Sequence, residues 1–167
     1  FEVEAQLVAR LEHPHIVPLY DYWRDPSGAD LVMRWLKGGN LQADLQQGGW
    51  KPEPAVQLIE QVTGALALAH RQGVVHCDIK PANILLGDGV ERVTITDFGL
   101  AGVATEISGA DVRSGTPLYM APEQLEGREV TERSDIYALG LLLYEIFSGR
   151  RAYDAETIDQ LKELQRS

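Results

Sequence analysis

A run of polar side chains sits among apolar neighbours at Val75-His76-Cys77-Asp78-Ile79-Lys80-Pro81-Ala82-Asn83. Its residue types suit one kind of chemistry. Moving a phosphoryl group onto a hydroxyl needs a carboxylate to orient and deprotonate the nucleophile, a cation over the migrating charge and oxygen ligands for a metal. Asp78, Lys80 and Asn83 can supply these in turn. The same residues also suit a polar turn in which Asp78 and Asn83 satisfy backbone groups, so the run alone leaves both readings open. A second carboxylate lies in Thr96-Asp97-Phe98-Gly99, after a β-branched stretch. At a strand end Asp97 can hold Mg2+, and the glycine beside it lets the backbone turn.

These groups need elements to hold them. Val3, Leu7, Val8 and Leu11 recur at helical spacing until Pro14 stops the pattern. Ile16 to Trp23 and Leu31 to Leu36 read as a strand hairpin around Asp25-Pro26-Ser27-Gly28. Lys37-Gly38-Gly39-Asn40 interrupts, and a short helix starts near Leu41. Pro52 and Pro54 suit the first turn of a helix whose stripe is Leu58, Ile59, Val62, Leu66 and Ala69, ending before Gly73. Three short apolar runs follow, Val74-Val75, Ile84 to Leu86 and Val93 to Thr96, and these read as small strands under a helical layer. Ser134 to Phe147 is apolar almost all round, which predicts a central buried helix ending at Gly149. On such a helix Asp135 needs hydrogen-bond partners, and the His76-Cys77-Asp78 loop can supply them. Thr157 to Gln165 forms a last amphipathic stretch.

The totals bound the class. A chain of 167 residues with 44% hydrophobic residues is long enough for one domain with a real core. A net charge of −10 argues against a nucleic-acid or anionic-membrane surface, so no nucleic-acid partner is expected. One cysteine, Cys77, cannot form an internal disulfide, and the four histidines show no zinc-ligand spacing. The expected compartment is the reducing cytoplasm. No apolar run reaches the roughly 18 residues of a membrane span, and Phe1-Glu2-Val3-Glu4 lacks the start of a signal peptide.

Order and spacing raise the specificity, because Gly115-Thr116-Pro117-Leu118-Tyr119-Met120-Ala121-Pro122-Glu123 follows Asp97-Phe98-Gly99, and Ser134-Asp135-Ile136-Tyr137-Ala138-Leu139-Gly140 follows that. In this order the whole chain resembles the protein-kinase superfamily. The resemblance implies an α+β, kinase-like fold with a mainly helical C-lobe and a remnant of the N-lobe. Residues 1–36 would be the partial N-lobe, with one helix, a strand hairpin and the hinge; 37–167 would be an incomplete C-lobe. It implies ATP and Mg2+ as cofactors and a protein Ser or Thr as substrate. Asp78 would be the catalytic base, Lys80 the γ-phosphate cation, and Asn83 and Asp97 the Mg2+ ligands. Met33 would be the gatekeeper, Arg34 and Leu36 would offer hinge backbone groups, and Leu85 would floor the purine. Glu4 would be the regulatory-helix glutamate, His76 and Phe98 core spine residues, and Glu123 and Asp135 structural anchors. Lys80 two residues after Asp78, with Thr116 in Gly-Thr-Pro, looks like the serine/threonine branch, and Glu4-Ala5-Gln6 with Pro122-Glu123-Gln124 looks most like bacterial Hanks-type kinases.

The pattern also departs from the family. No lysine precedes Glu4, the chain's lysines being Lys37, Lys51, Lys80 and Lys162, and the first glycine is Gly28, inside a turn. The late arginine that usually pairs with Glu123 is absent, and Arg150 and Arg151 come too early to replace it. The expectation is a kinase sequence truncated at both ends and weakly active or inactive alone, since one lost electrostatic stabiliser costs roughly 10²–10³ in rate. The competing readings are a pseudokinase-like binding module without catalysis and a small-molecule phosphotransferase, against which Gly115 to Glu123 argues. Cys77 stands where many kinases carry an arginine that meets a phosphorylated segment. Phosphorylation of Thr105, Ser108 or Ser114 is therefore not expected to be the main on-switch.

Overall fold

The strands form two antiparallel hairpins. A computed structural model describes residues 2–25, 28–47, 50–87, 89–98 and 117–167. Strands β1 (Leu19–Asp25) and β2 (Gly28–Met33) pair from Leu19↔Met33 to Asp25↔Gly28, with a register irregularity between Leu19 and Asp21. Strands β3 (Ile84–Gly87) and β4 (Gly89–Ile95) pair as Ile84↔Ile95 and Leu86↔Val93. The segment before β1 joins them: Ile16 bridges Ile95, and Val17 N–H donates to the Ile95 carbonyl at 2.8 Å. Residues 16 and 17, expected as the start of the first hairpin, therefore pair with β4 instead. Past β2, Arg34 stays tied to the first strand's side by its N–H to the Pro18 carbonyl and its Nε to Tyr20 OH at 3.1 Å.

Helix α1 (Glu2–Ala9) packs Leu7 and Val8 against the main core. Helix α2 (Leu41–Leu45) is short and capped by Asn40, whose side chain accepts from Ala43 N–H at 3.0 Å. Helix α3 (Pro52–Arg71) starts on prolines that fill positions needing no intrahelical N–H. Its apolar stripe buries Leu58, Val62, Leu66 and Ala69 fully or nearly so, each large side chain contributing about 1.5–3 kcal/mol of transfer free energy. Gly73 (φ 75) ends it in a left-handed turn, and Val74 N–H returns to the Ala69 carbonyl at 2.9 Å. This bond, with the loop contacts described below, is why Val74-Val75 does not form the strand its composition suggests.

Helix α4 (Pro122–Leu125) is one turn, preceded by the 3-10 turn Pro117–Tyr119. Helix α5 (Glu132–Ser148) is capped by Thr131, which accepts from Arg133 N–H while Ser134 Oγ accepts from Thr131 N–H. Gly149 (φ 72) ends it. Its buried residues, Asp135, Ala138, Leu139, Leu142 and Ile146, form one stripe at helical spacing. The expectation of burial all round is corrected here: Ile136 is 56% and Phe147 57% exposed. Helix α5 meets α3 and the Pro117–Tyr119 turn, and its Leu141 packs against the second small core. Helix α6 (Ile158–Arg166) packs Leu161 into a second small core with Leu118, Tyr119 and Leu125. Among the described residues no helix is long and apolar enough to cross a membrane.

Candidate active site

The polar run follows α3 and ends in a 3-10 turn, Pro81–Asn83. Lys80 Nζ lies 2.7 Å from Asp78 Oδ2. Asn83 Nδ2 donates to the same Oδ2 and to the Asp78 backbone carbonyl, both at 2.9 Å. Among the described residues the side-chain bonds of Asp78 therefore fall on one carboxylate oxygen, Oδ2. Asn83 commits its amide nitrogen to Asp78, so its amide oxygen is the end that can meet a cation.

The loop is held from below. Asp135 is 1% exposed. Its Oδ2 accepts from His76 N–H and its Oδ1 from Cys77 N–H, each at 2.8 Å. His70 Nε2, on the last turn of α3, donates to Asp135 Oδ2 at 2.7 Å. Gln124 Nε2 donates to the Cys77 carbonyl at 2.8 Å. Charge-assisted bonds to a buried carboxylate are roughly twice as strong as neutral ones, and here they fix a residue in an unfavourable backbone region, since Cys77 has φ 67. The Cys77 thiol is half-buried and directed at the Val75 carbonyl at 3.6 Å.

His76 is fully buried. Its Nδ1 accepts from Asp78 N–H at 3.2 Å and its Nε2 donates to the Thr96 carbonyl at 2.9 Å, which fixes a neutral Nε2–H tautomer. Burial pushes its pKa below the ordinary imidazole value, against the opposing pull of Asp135, the Thr96 carbonyl, Asp78 and Asp97. Phe98 packs on the ring with centroids 4.5 Å apart. Thr96 N–H donates to the Asn83 carbonyl at 3.0 Å, so Asp97 follows directly on the strand paired with the loop. Like Cys77, Asp97 lies in the left-handed region, with φ 63. Asn83 and Asp97 are hard oxygen donors, and few protein ligands are what Mg2+ takes in phosphoryl-transfer sites. The donor set thus fits Mg2+. Among the described residues no group of three His, Cys, Asp or Glu could hold a metal unaided.

The residues expected around adenine are divided between two hollows, Met33 lining one with Asp97 and Phe98, Arg34 and Leu36 another with Thr94, while Leu85 lines neither. Met33 Sδ lies 3.7 Å from Thr96 Oγ1, and Met33 shares a small cavity with Val8, Asp97 and Phe98. Arg34 N–H is committed to Pro18, so its carbonyl is what it can offer a base. Leu36 and Leu85 are half-buried, and Leu85 alternates with the buried Ile84 and Leu86, which turns it away from the core. The segment after Leu36 lies tightly on β3: a Cβ on Gly38 would stand 2.1 Å from the Gly87 carbonyl oxygen. Leu86 N–H donates to the Gly39 carbonyl at 3.0 Å.

Comparison with known proteins decides what this arrangement is. The protein kinase domain model matches residues 1–167. The chain belongs to the protein kinase family. It is 38% identical over 160 residues to the serine/threonine-protein kinase PrkC of Bacillus subtilis, covering 94% of this chain and 24% of PrkC. It is 39% identical over 160 residues to PknL of Mycobacterium tuberculosis, covering 94% of this chain and 40% of PknL. To PknD of the same organism it is 40% identical over 161 residues, covering 95% and 24%. The chain thus spans between about a quarter and two fifths of the length of these curated relatives.

In this kinase domain the remaining expected residues are spread out. Glu123, for which the sequence offered no arginine, accepts from Ser134 Oγ at 2.6 Å, tying α4 to α5. Thr116 lies outside the described residues, as do Thr105, Ser108 and Ser114, and the Glu4 side chain is outside them too. Two residues of the loop's support were missed by sequence reasoning, His70 and Gln124. His70 follows Leu66 by one helical turn and was legible only as a polar end to the stripe. Gln124 also accepts from Ala121 N–H at 3.0 Å, the part that a helix-start pattern signals; its reach to Cys77 has no sequence signature.

Proposed function

We propose that this chain, as part of a larger intact kinase, transfers the γ-phosphoryl group of ATP to Ser or Thr hydroxyls of a protein in the reducing cytoplasm. The observation that supports the reading is the asymmetry of Asp78: Oδ2 is held by Lys80 and Asn83, while Oδ1 has no partner among the described residues. An oriented carboxylate oxygen is what a substrate hydroxyl needs to align and shed its proton. Lys80, anchored at Asp78, would lie against the migrating negative charge, and a cation there stabilises charge that develops only in transit. Asn83 and Asp97 would hold Mg2+, which when bound neutralises phosphate charge and fixes the reacting group in line. Met33, the Arg34 carbonyl, Leu36 and Leu85 would receive adenine. Residues 1–36 would serve as N-lobe and 37–167 as C-lobe, with Glu4 in its regulatory helix. His76, Phe98, Glu123 and Asp135 would support the site, and Thr116 the peptide platform. The acidic composition favours a protein rather than a nucleic acid as the acceptor.

The test is Asp78→Asn in the full kinase carrying this chain, assayed on a generic protein substrate. Turnover should fall by roughly 10²–10⁴. Near-normal turnover removes Asp78 from the mechanism.

A further inference from the structure

A hollow of about 150 Å³ is lined from both hairpins, by Arg34 just past β2 and by Arg92 on β4. The segment between α1 and β1 ties the two arginines together: Ile16 bridges Ile95 of β4, and the Pro18 carbonyl accepts from Arg34 N–H. Both side chains are exposed, and Arg34 Nε donates to Tyr20 OH at 3.1 Å. That bond uses one of the five guanidinium donors and leaves the terminal fork. No Asp or Glu lines the hollow, and among the described residues no carboxylate pairs with either arginine. His13 lines it as well, its pKa pushed down first by burial and then by His15 and Arg71, with no acid among the causes. The hollow is therefore positive on a chain of net charge −10, and it is where an acidic group would be drawn.

Much of the remaining lining is apolar: Pro14, Ile16, Pro18 and Leu36. Gly87 adds no side chain, and a Cβ there would stand 3.2 Å from Arg92 Cβ. A free phosphate makes no use of an apolar floor, and small-molecule ligands take pockets of roughly 300–1,000 Å³. The size and lining suit the side chains of a protein segment instead. Met33, Asp97 and Leu85 do not line this hollow, and the adenine reading uses the Arg34 carbonyl, so the Arg34 guanidinium is left for a second ligand. Guanidinium forks match carboxylates in geometry as well as charge. We propose that this hollow docks an acidic segment of a partner protein, a carboxylate meeting Arg34 and Arg92 while an apolar neighbour rests on Pro14, Pro18 and Leu36. The inference goes beyond phosphoryl transfer, and its test runs without ATP.

The probe is a fluorescent peptide of alternating Glu and Leu, free of Ser, Thr and Tyr, titrated by anisotropy into the full kinase carrying this chain. Gln in place of Glu should weaken binding by about tenfold, since each exposed charge pair is worth up to about fivefold. Gly in place of Leu should weaken it by about fivefold, and rising salt should weaken the parent peptide. Arg92→Gln should cost about fivefold, and Arg92→Glu should cost more and favour a peptide of alternating Lys and Leu. Arg92 is exposed, so both variants should melt as wild type does, and Arg92→Gln keeps the test open if the reversed charge unfolds the turn. Unchanged affinity in Arg92→Gln, or no binding of the parent peptide below about 1 mM, overturns the proposal. Inorganic phosphate that displaces the peptide at equal concentration overturns it as well and leaves a simple anion site. A wild-type preference for the Lys peptide overturns it too. None of these results bears on Asp78, whose variant tests the kinase reading separately.

Discussion

Asp135 Oδ1 accepts the backbone N–H of Cys77 at 2.8 Å across 58 residues of sequence. Cys77 has φ 67, a region that costs a side-chain-bearing residue about 1–2 kcal/mol. The bond and its twin to His76 hold the loop in that conformation, and the loop's conformation sets where Asp78 stands.

Asp135→Asn tests this directly. The amide can keep one N–H bond but must turn an NH2 donor toward another donor, leaving a buried group unsatisfied at a cost of about 1–3 kcal/mol. Chemical denaturation should show that loss. Turnover should fall by about tenfold or more, because small misplacements of a reacting group are expensive. A variant with wild-type stability and turnover would show that the loop positions itself without α5.

His76 gives a pH dependence whose sign follows from its burial. Its folded pKa is lowered, first by desolvation. Below about pH 6.5, the ordinary imidazole value, the unfolded chain takes up a proton that the folded chain resists, so stability is fully present above that pH and is lost as pH falls through the window beneath it. The slope has a ceiling of about 1.4 kcal/mol per pH unit for one proton. His13 is also lowered, by burial and by His15 and Arg71, and acts in the same direction. Urea unfolding of wild type and His76→Gln between pH 7.5 and 5.5 should therefore show a smaller pH loss in the variant. Equal losses would assign the effect elsewhere.

Gly38 and Gly39 are neighbours with different needs. A Cβ at Gly38 would meet backbone oxygens of Gly87 and Leu86 at 2.1 and 2.2 Å, whereas at Gly39 nothing lies within 4 Å but φ is 77. Gly39→Ala should cost about 1 kcal/mol of conformational strain. Gly38→Ala must push the Gly38-Gly39 segment off β3 and should cost more, about 1–3 kcal/mol, with a raised KM for ATP. Thermal melts and ATP titration of the two variants compare them, and an inverted order would mean that the close approach is relaxed in solution.

The sequence made the long elements legible because their signals are periodic. The stripe from Leu58 to Ala69 and the prolines at the head of α3 announce a helix without any tertiary information. The Asp78, Lys80 and Asn83 grouping was legible because its spacing is local, and Asp135 because a carboxylate on an apolar helix demands partners. What escaped was set by contacts without a period. Val74 has strand composition, but its N–H is spent on the end of α3, and His76 and Cys77 spend theirs on Asp135. The exposed face of α5 at Ile136 and Phe147 carries the same residue types as its buried face, so composition could not divide them. His70 and Gln124 reach the loop through single side-chain bonds that no pattern records.

The clamp beneath the loop has a consequence for transplantation. Residues 75–83 carry the groups proposed to react, but the instructions for their shape are written elsewhere, in His70 before them and in Gln124 and Asp135 after them. A graft of the nine-residue run into another scaffold would move the chemistry without its foundation, and Cys77 would relax out of its left-handed turn. The smallest portable unit is therefore the loop together with the end of α3, the start of α4 and the first turn of α5.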